Sequence, residues 1–195
     1  MRKIILLFLL LICYSLPSQT EDHRFNVIHK GKLLGTLDAT KTIIGNKISY
    51  QSHTNIEYQL LVAITIVYKY NVTYEKGILK EANAHITVRG KDKTKVRTIW
   101  TDEGYKFYSE DELEKELKMT IKHSIIQLVL EEPTGVSKIY AEEHGDFHTI
   151  KKIGEHAYLK TAPNGRESKY YYENGVLQKS DVDAGIIKFS IVRRD

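Results

Sequence analysis

The segment EEHGDFHTI, residues 142–150, holds the densest set of metal-capable side chains in the chain. His144 and His148 stand four apart, with Glu143 and Asp146 beside them. On a helix that spacing would aim both imidazoles at one zinc ion. Gly145-Asp146 reads as a turn instead, so the histidines need not converge. The expectation is a solvated hairpin and no metal. The paired carboxylates Glu131-Glu132 and Glu142-Glu143, with Asp181 and Asp183, raise the question of acid–base chemistry. Such work needs two carboxylates whose surroundings push their pKa values apart. Charges on the wet face of a sheet do not supply that. Gly-x-Ser-x-Gly, His-Glu-x-x-His and phosphate-cradling glycine loops are absent. No enzyme activity and no cofactor are expected.

The remaining chemistry is aromatic. The chain has 13 tyrosines, three of them consecutive in SKYYYENGVLQKS, residues 168–180. The stretch NVTYEKGILKEA, residues 71–82, repeats the order Tyr-Glu-x-Gly, then an aliphatic residue and Leu. Shared hairpin chemistry explains the likeness more simply than an internal duplication. Asn71-Val72-Thr73 is a glycosylation sequon, read as incidental.

The elements that position these rings are strands. From Val62 to Tyr74, the even positions Val62, Ile64, Ile66, Tyr68, Tyr70, Val72 and Tyr74 form one face. The odd positions are mostly polar. Alternation of period two marks a half-buried strand. It would span roughly 43 Å at about 3.3 Å per residue, long enough to curl with its sheet. A three-residue Glu75-Lys76-Gly77 loop pairs even positions with even ones. Tyr74 then faces Ile78, Tyr70 faces Ala82, Tyr68 faces Ala84 and Ile66 faces Ile86. The same rule with Glu173-Asn174-Gly175 sets Tyr172 opposite Val176 and Tyr170 opposite Gln178, with Tyr171 and Leu177 outside. Asn-Gly also suits a two-residue type I′ turn.

Further turn signals lie at residues 29–32, 44–47, 89–93, 102–104, 144–146, 163–165 and 183–185. Short strands with turns this frequent predict one all-β domain. We expect an antiparallel meander of long curved strands forming a barrel or half-barrel, with one short helix. That helix is placed at residues 124–130, where Ser124 and Gln127 stand as in a capping box and Pro133 ends the run. Upstream, Glu and Lys around Leu113 and Leu117 fit a helix, whereas Leu117, Met119 and Ile121 alternate as a strand would.

The chain opens MRKIILLFLLLICYSLPSQT. Two basic residues, an apolar run from Ile4 to Leu16 and a small or polar tail have the layout of a secretory signal peptide over residues 1–20. The run is short for a membrane span. Ile12 before Cys13 does not fit a lipobox. Cleavage would remove Cys13, the only cysteine, and leave residues 21–195 without disulfide or transmembrane segment. The formal charge of +4 would fall to +2 with Arg2 and Lys3 gone. The basic stretch RGKDKTKVR, residues 89–97, reads as a turn whose lysines deter edge pairing. No nucleic acid is expected.

GTLDATKT, VTYEKGIL, LEEPTGVSKIYAEEHGDF, IGEHAYLKTAPNG and KYYYENGVLQK together resemble an uncharacterised family of secreted Bacteroidota proteins, domain of unknown function 6134. The resemblance implies export to the periplasm or the outer membrane and supplies no activity. More loosely, the pattern is similar to the curved half-barrels of bacterial lipoprotein carriers, a likeness of fold alone.

The leading expectation is a non-catalytic module binding a lipid-like ligand on its inner face. Its candidate residues are Ile66, Tyr68, Tyr70, Tyr74, Ala82, Ala84, Tyr170 and Tyr172, where large rings stand across from alanines. The alternatives are an envelope interaction module using outward Tyr171 and Leu177, and an outer-membrane barrel. The charged end IVRRD speaks against the latter.

Overall fold

The computed structural model describes residues 18–59, 63–184 and 188–194. The signal-like run with Cys13, the strand-initial Val62, the turn glycine Gly185 and the final Asp195 lie outside them. The strands are β1 (Ser18–His29), β2 (Lys32–Ile44), β3 (Lys47–Gln59), β4 (Ala63–Glu75), β5 (Ile78–Val88), β6 (Lys91–Thr101) and β7 (Gly104–Ser109). They continue as β8 (Glu112–Leu117), β9 (Lys138–Ala141), β10 (Asp146–Gly154), β11 (Ala157–Thr161), β12 (Glu167–Glu173), β13 (Val176–Asp183) and β14 (Lys188–Arg193). One helical turn, α1, spans Gln127–Leu130.

All the strands form one antiparallel sheet, in the order β8-β7-β6-β5-β4-β3-β2-β1-β14-β13-β12-β11-β10-β9. It is a meander whose first and last strands meet in the middle, and β8 and β9 are its edges. Residues 18–20, placed in the leader by the sequence, pair with residues 42–44 as the start of β1. The strict alternation predicted for β4 is present, with Val72 and Tyr74 buried and Lys69, Asn71 and Glu75 exposed. Apolar-in and polar-out is the reverse of a membrane barrel's pattern.

The hairpin loops are shorter than expected. Lys76-Gly77 and Asn174-Gly175 are two-residue turns with both φ angles positive, as type I′ demands. A bulge then follows in each second strand, with Lys80 and Gln178 as the extra residues. Tyr74 therefore faces Leu79, Val72 faces Ala82, Tyr70 faces Ala84, Tyr68 faces Ile86 and Ile66 faces Val88. Tyr172 faces Leu177 and Tyr170 faces Ser180. The loop length and pairings thus correct the sequence expectation, while the inward set Ala82, Ala84 and Ile86 stands. The bulge restores the even-to-even phase that a three-residue loop would have given. The two-residue turns themselves set Leu79 and Leu177 inward, opposite Tyr74 and Tyr172 and both fully buried, so Leu177 is not on the outer surface. Lys30-Gly31, Arg89-Gly90 and Glu110-Asp111 repeat the same turn and bulge.

The sheet curls without closing through β8 and β9. Thr98 of β6 and Tyr140 of β9 share a hydrogen bond of 2.7 Å, although they stand far apart in the strand order. At the β9–β10 turn, Gly145 lies so close to the Phe107 ring that a Cβ would come within 2.6 Å of it. Residues 118–137 join the two edges, and their apolar side chains enter the interior. Ile121, Ile126, Leu128 and Leu130 are all buried. The Glu/Lys-rich stretch before them is strand β8, not helix. The predicted helix is reduced to α1, although the Gln127 carboxamide does accept the Ser124 N–H at 2.8 Å. Its apolar residues are gripped by sheet strands, and short hydrogen-bonded turns lead into it.

The bulge in β2 brings Gly35 against β3, where an added Cβ would stand 1.8 Å from the Asn55 carbonyl oxygen. Backbone cannot yield as a flexible side chain can. Gly35→Ala is expected to cost upwards of about 3 kcal/mol. Gly165→Ala, with open space around it, should cost about 1 kcal/mol from its positive φ. Denaturant melts of the two variants check the order.

Candidate functional site

Strand direction assigns the interior two ends. The Lys76-Gly77, Asn174-Gly175 and Glu155-His156 turns lie at one end, where residues 118–137 enter. The Arg89-Gly90 turn and residues 142–145 lie at the other. The eight predicted residues all belong to the inner face, but they divide between the ends. Tyr74, Ala82 and Tyr172 are buried at the filled end. The Leu79 N–H donates to the Ile121 carbonyl at 3.0 Å, and the Tyr172 hydroxyl donates to the Leu128 carbonyl at 2.7 Å. Ala84 packs with Val96, Phe107 and Tyr70. There the small residues accommodate the protein's own side chains. Ile66, Tyr68 and Tyr70 remain only partly buried, nearer the other end.

A polar cluster joins them that the sequence reading left in solvent. Glu142 and His148 retain 2% and 5% of their surface. The Glu142 carboxylate accepts the Ile126 N–H at 3.0 Å. Burial pushes its pKa up. Glu143 accepts the Tyr70 hydroxyl. Surrounding protein pushes Glu143 up as well, yet its side chain keeps 30% of its surface open. Lys160 projects inward from β11 beside Ile150 and Ser168. Burial lowers its pKa, against the pull of Glu143, Glu142 and Asp146.

The solvated-hairpin expectation for residues 142–150 is therefore corrected. The turn exists, but the curl of the sheet folds its flanks inward, and His144 is the exposed histidine. The rings of His144 and His148 are stacked 6.5 Å apart. No cluster of three metal-capable side chains occurs among the described residues. Glu132, also expected on a wet face, retains 10% of its side-chain surface and accepts the Tyr158 hydroxyl at 2.7 Å.

Hydrogen bonding separates the two ends. At the filled end, Tyr50 donates to Glu131 at 2.7 Å, and Tyr105 accepts the Ile121 N–H at 3.2 Å. Tyr74 and Ser124 face each other without a bond of good geometry. Toward the other end, the Tyr68 and Tyr170 hydroxyls and the Lys160 ammonium make no hydrogen bond among the described residues, and, unlike the Tyr74 and Ser124 hydroxyls, none of the three is fully enclosed. Both His148 ring nitrogens are enclosed and unbonded, with Asp146 Oδ1 3.4 Å from Nε2. Burial pushes Tyr68 up to about 12, helped by Glu143. It pushes His148 down to about 4, helped by Lys160.

An open antiparallel meander curled around its own edge-to-edge link is a β-barrel-like fold. A crystal structure of a beta-barrel-like protein of domain of unknown function DUF1849 from Brucella abortus superposes with a TM-score of 0.56. The identity is 8%, over 92% of this chain and 96% of that chain, so the likeness is one of fold. Residues 25–194 match the domain of unknown function DUF6134, and the chain belongs to that family. No curated protein matches the sequence.

Two outcomes follow from this packing. Below its unfolded value near 6.5, His148 accepts a proton in the unfolded chain that the fold refuses down to about pH 4. Its presence therefore costs stability as pH falls through that window, by at most about 3 kcal/mol. His148→Leu should flatten this part of the stability profile, measured by urea melts from pH 7 to 4. Ala84→Trp should overpack the Val96–Phe107 contact and cost roughly 1–3 kcal/mol, seen as a lower denaturant midpoint.

Proposed function

We propose that this protein is an exported, non-catalytic binding module that holds a lipid-like ligand at the less filled end of its curled sheet. The carrying observation is the division of the interior. One end is filled by residues 118–137, with most tyrosine hydroxyls bonded. The other keeps Ile66, Tyr68 and Tyr70 partly open and leaves polar groups unmatched. Buried polar groups without partners are uncommon in a folded protein. An apolar surface bordered by them suits an amphiphile. Half-buried Tyr58, Val182 and Phe189 extend the apolar inner surface. The basic and apolar start of the chain supports export.

The reading without ligand, an envelope interaction module, drew on Tyr171 and Leu177. Leu177 is now accounted for by the core. Tyr171 alone stays outside, with the Lys179 ammonium 5.9 Å above its ring.

Purified protein is expected to take up an environment-sensitive fluorophore carrying a long alkyl chain. Ile66→Asp should weaken uptake at least tenfold while thermal unfolding remains cooperative. Tyr171→Ala, on the outer face, should leave uptake unchanged. Absence of uptake by the wild type would sink the ligand reading. Cell fractionation of the full chain, with and without residues 1–20, tests export.

A further inference from the structure

The fold leaves the lysines of residues 89–97 without the task expected of them. Edge protection does not explain them, because β5 and β6 lie inside the sheet, whose edges are β8 and β9. Strands β1 and β2, whose turn carries Lys30 and Lys32, are interior as well. Both turns stand at the less filled end. Lys30, Lys32, Arg89, Lys91 and Lys93 are all exposed there, and none makes an ion pair among the described residues.

Charge around this end is divided. On strands β1 to β6 the acids toward it are Glu57 and Asp92, the latter 2.7 Å from His85 Nε2. Five cations thus stand against two acids on this sector. Next to it, Asp183 pairs with Lys188 at 3.0 Å, and Glu167 follows Arg166 in the chain. The other acids of this end, Glu110, Asp111, Glu112, Glu143 and Asp146, stand at the β7–β8 and β9–β10 turns, by the seam. The turns of the filled end carry Lys47 and Lys76 against Glu75, Asp102, Glu103, Glu155 and Glu173. An apolar side chain sits within the basic sector. Leu33, next to Lys32, is 59% exposed, the most of any large hydrophobic residue described. It stands opposite half-buried Ile28 on the outer face. The Arg89 N–H donates to the Thr65 carbonyl at 2.8 Å and so ties its turn to β4.

We infer that the Lys30-Gly31 and Arg89-Gly90 turns, with Lys32, Leu33, Lys91 and Lys93, form a docking surface for an anionic lipid bilayer. Cations projecting from turns at one end of a sheet can meet lipid phosphates together, in one plane. Each is worth about fivefold in partitioning to an anionic membrane surface. The attraction fades beyond a Debye length, so it weakens as salt rises. Leu33 supplies an apolar side chain that the headgroup boundary of a bilayer receives. A free nucleic acid or acidic polysaccharide offers no such apolar layer, and these turn tips form no groove to follow a strand. The bilayer is therefore the occupant that suits both the charge and the leucine. Docking of this kind turns the less filled end toward the membrane. It goes beyond the ligand reading and does not depend on it.

The test is sedimentation with vesicles of phosphatidylcholine alone, or with a third of it replaced by phosphatidylglycerol. The wild type is expected to bind the anionic vesicles at least tenfold more tightly and to leave them as salt rises. Lys30→Gln combined with Lys91→Gln should weaken that binding at least tenfold. Both side chains are exposed, so thermal unfolding should be unchanged. Leu33→Ser should weaken it severalfold. Lys47→Gln with Lys76→Gln, exposed at the filled end, should change it less than twofold. No preference for the anionic vesicles, or an equal loss in the two lysine pairs, overturns the docking surface. A single-stranded oligonucleotide bound as tightly as the vesicles, with Leu33→Ser affecting neither, overturns the bilayer in favour of a general polyanion site. Uptake of the alkyl fluorophore, which these variants should leave unaltered, reads the ligand proposal separately, and its failure leaves the docking surface standing.

Discussion

A tyrosine turned to the inside of a curled sheet brings a hydroxyl that must find a partner in a place water barely reaches. The rest of this interior depends on that constraint. Tyr50 donates to Glu131, Tyr158 to Glu132, and Tyr172 to the Leu128 carbonyl. Tyr140 shares a bond with Thr98. Several of these partners lie in the chain segment between the two sheet edges. An all-aliphatic inner face would have left that segment's polar groups unmet. The tyrosines convert a covering of apolar contacts into one with a defined position, because each bond fixes a ring tip to a particular backbone or carboxylate oxygen.

Buried acids belong to the same arrangement. Glu142 is fully enclosed, at an expense in desolvation, and it receives the Ile126 N–H just before α1. A helical turn this short leaves orphan amides in the interior, and this carboxylate meets one of them. Lys41 and Glu131 make an ion pair of 2.9 Å beside Tyr50, adding a further tie between sheet and inserted segment. The acids that the sequence placed on a wet face are therefore partly fastenings for residues 118–137.

The fold class, the turn-rich meander and the inward parity of Tyr68, Tyr70, Tyr74, Ala82 and Ala84 were legible because period-two alternation survives changes of register. Exact pairing was not. A two-residue loop followed by a bulge and a three-residue loop leave the same parity over most of β5, and they differ visibly only at Leu79. Turns at Glu110-Asp111 and Glu155-His156 escaped notice because they lack the glycine that usually marks a positive φ. Non-glycine residues hold that conformation at Glu110, Asp111 and His156. The burial of Glu142 and His148 was illegible for another reason. It follows from how far the sheet curls, a property of all the strands together, and local polarity is silent on that. The candidate site is thus half readable: its rings announce themselves by alternation, while its charged members depend on closure.

The shared grammar of the two Tyr-Glu-x-Gly hairpins acquires a physical meaning at the filled end. Each type I′ turn and its bulge places a tyrosine directly opposite a leucine, Tyr74 with Leu79 and Tyr172 with Leu177. Without the bulge, alternation would carry either the leucine or the following inward residues to the outside. With it, both hairpins present a Tyr–Leu pair to the interior, at the end where residues 118–137 enter. Leu79 bonds to Ile121 through its backbone, and Tyr172 bonds to Leu128 through its hydroxyl. The two hairpins thus hold the inserted segment near its beginning and at α1. That placement fills one end with the protein's own side chains. It leaves Tyr68 and Tyr170, farther along the same strands, without a corresponding hydrogen bond to that segment.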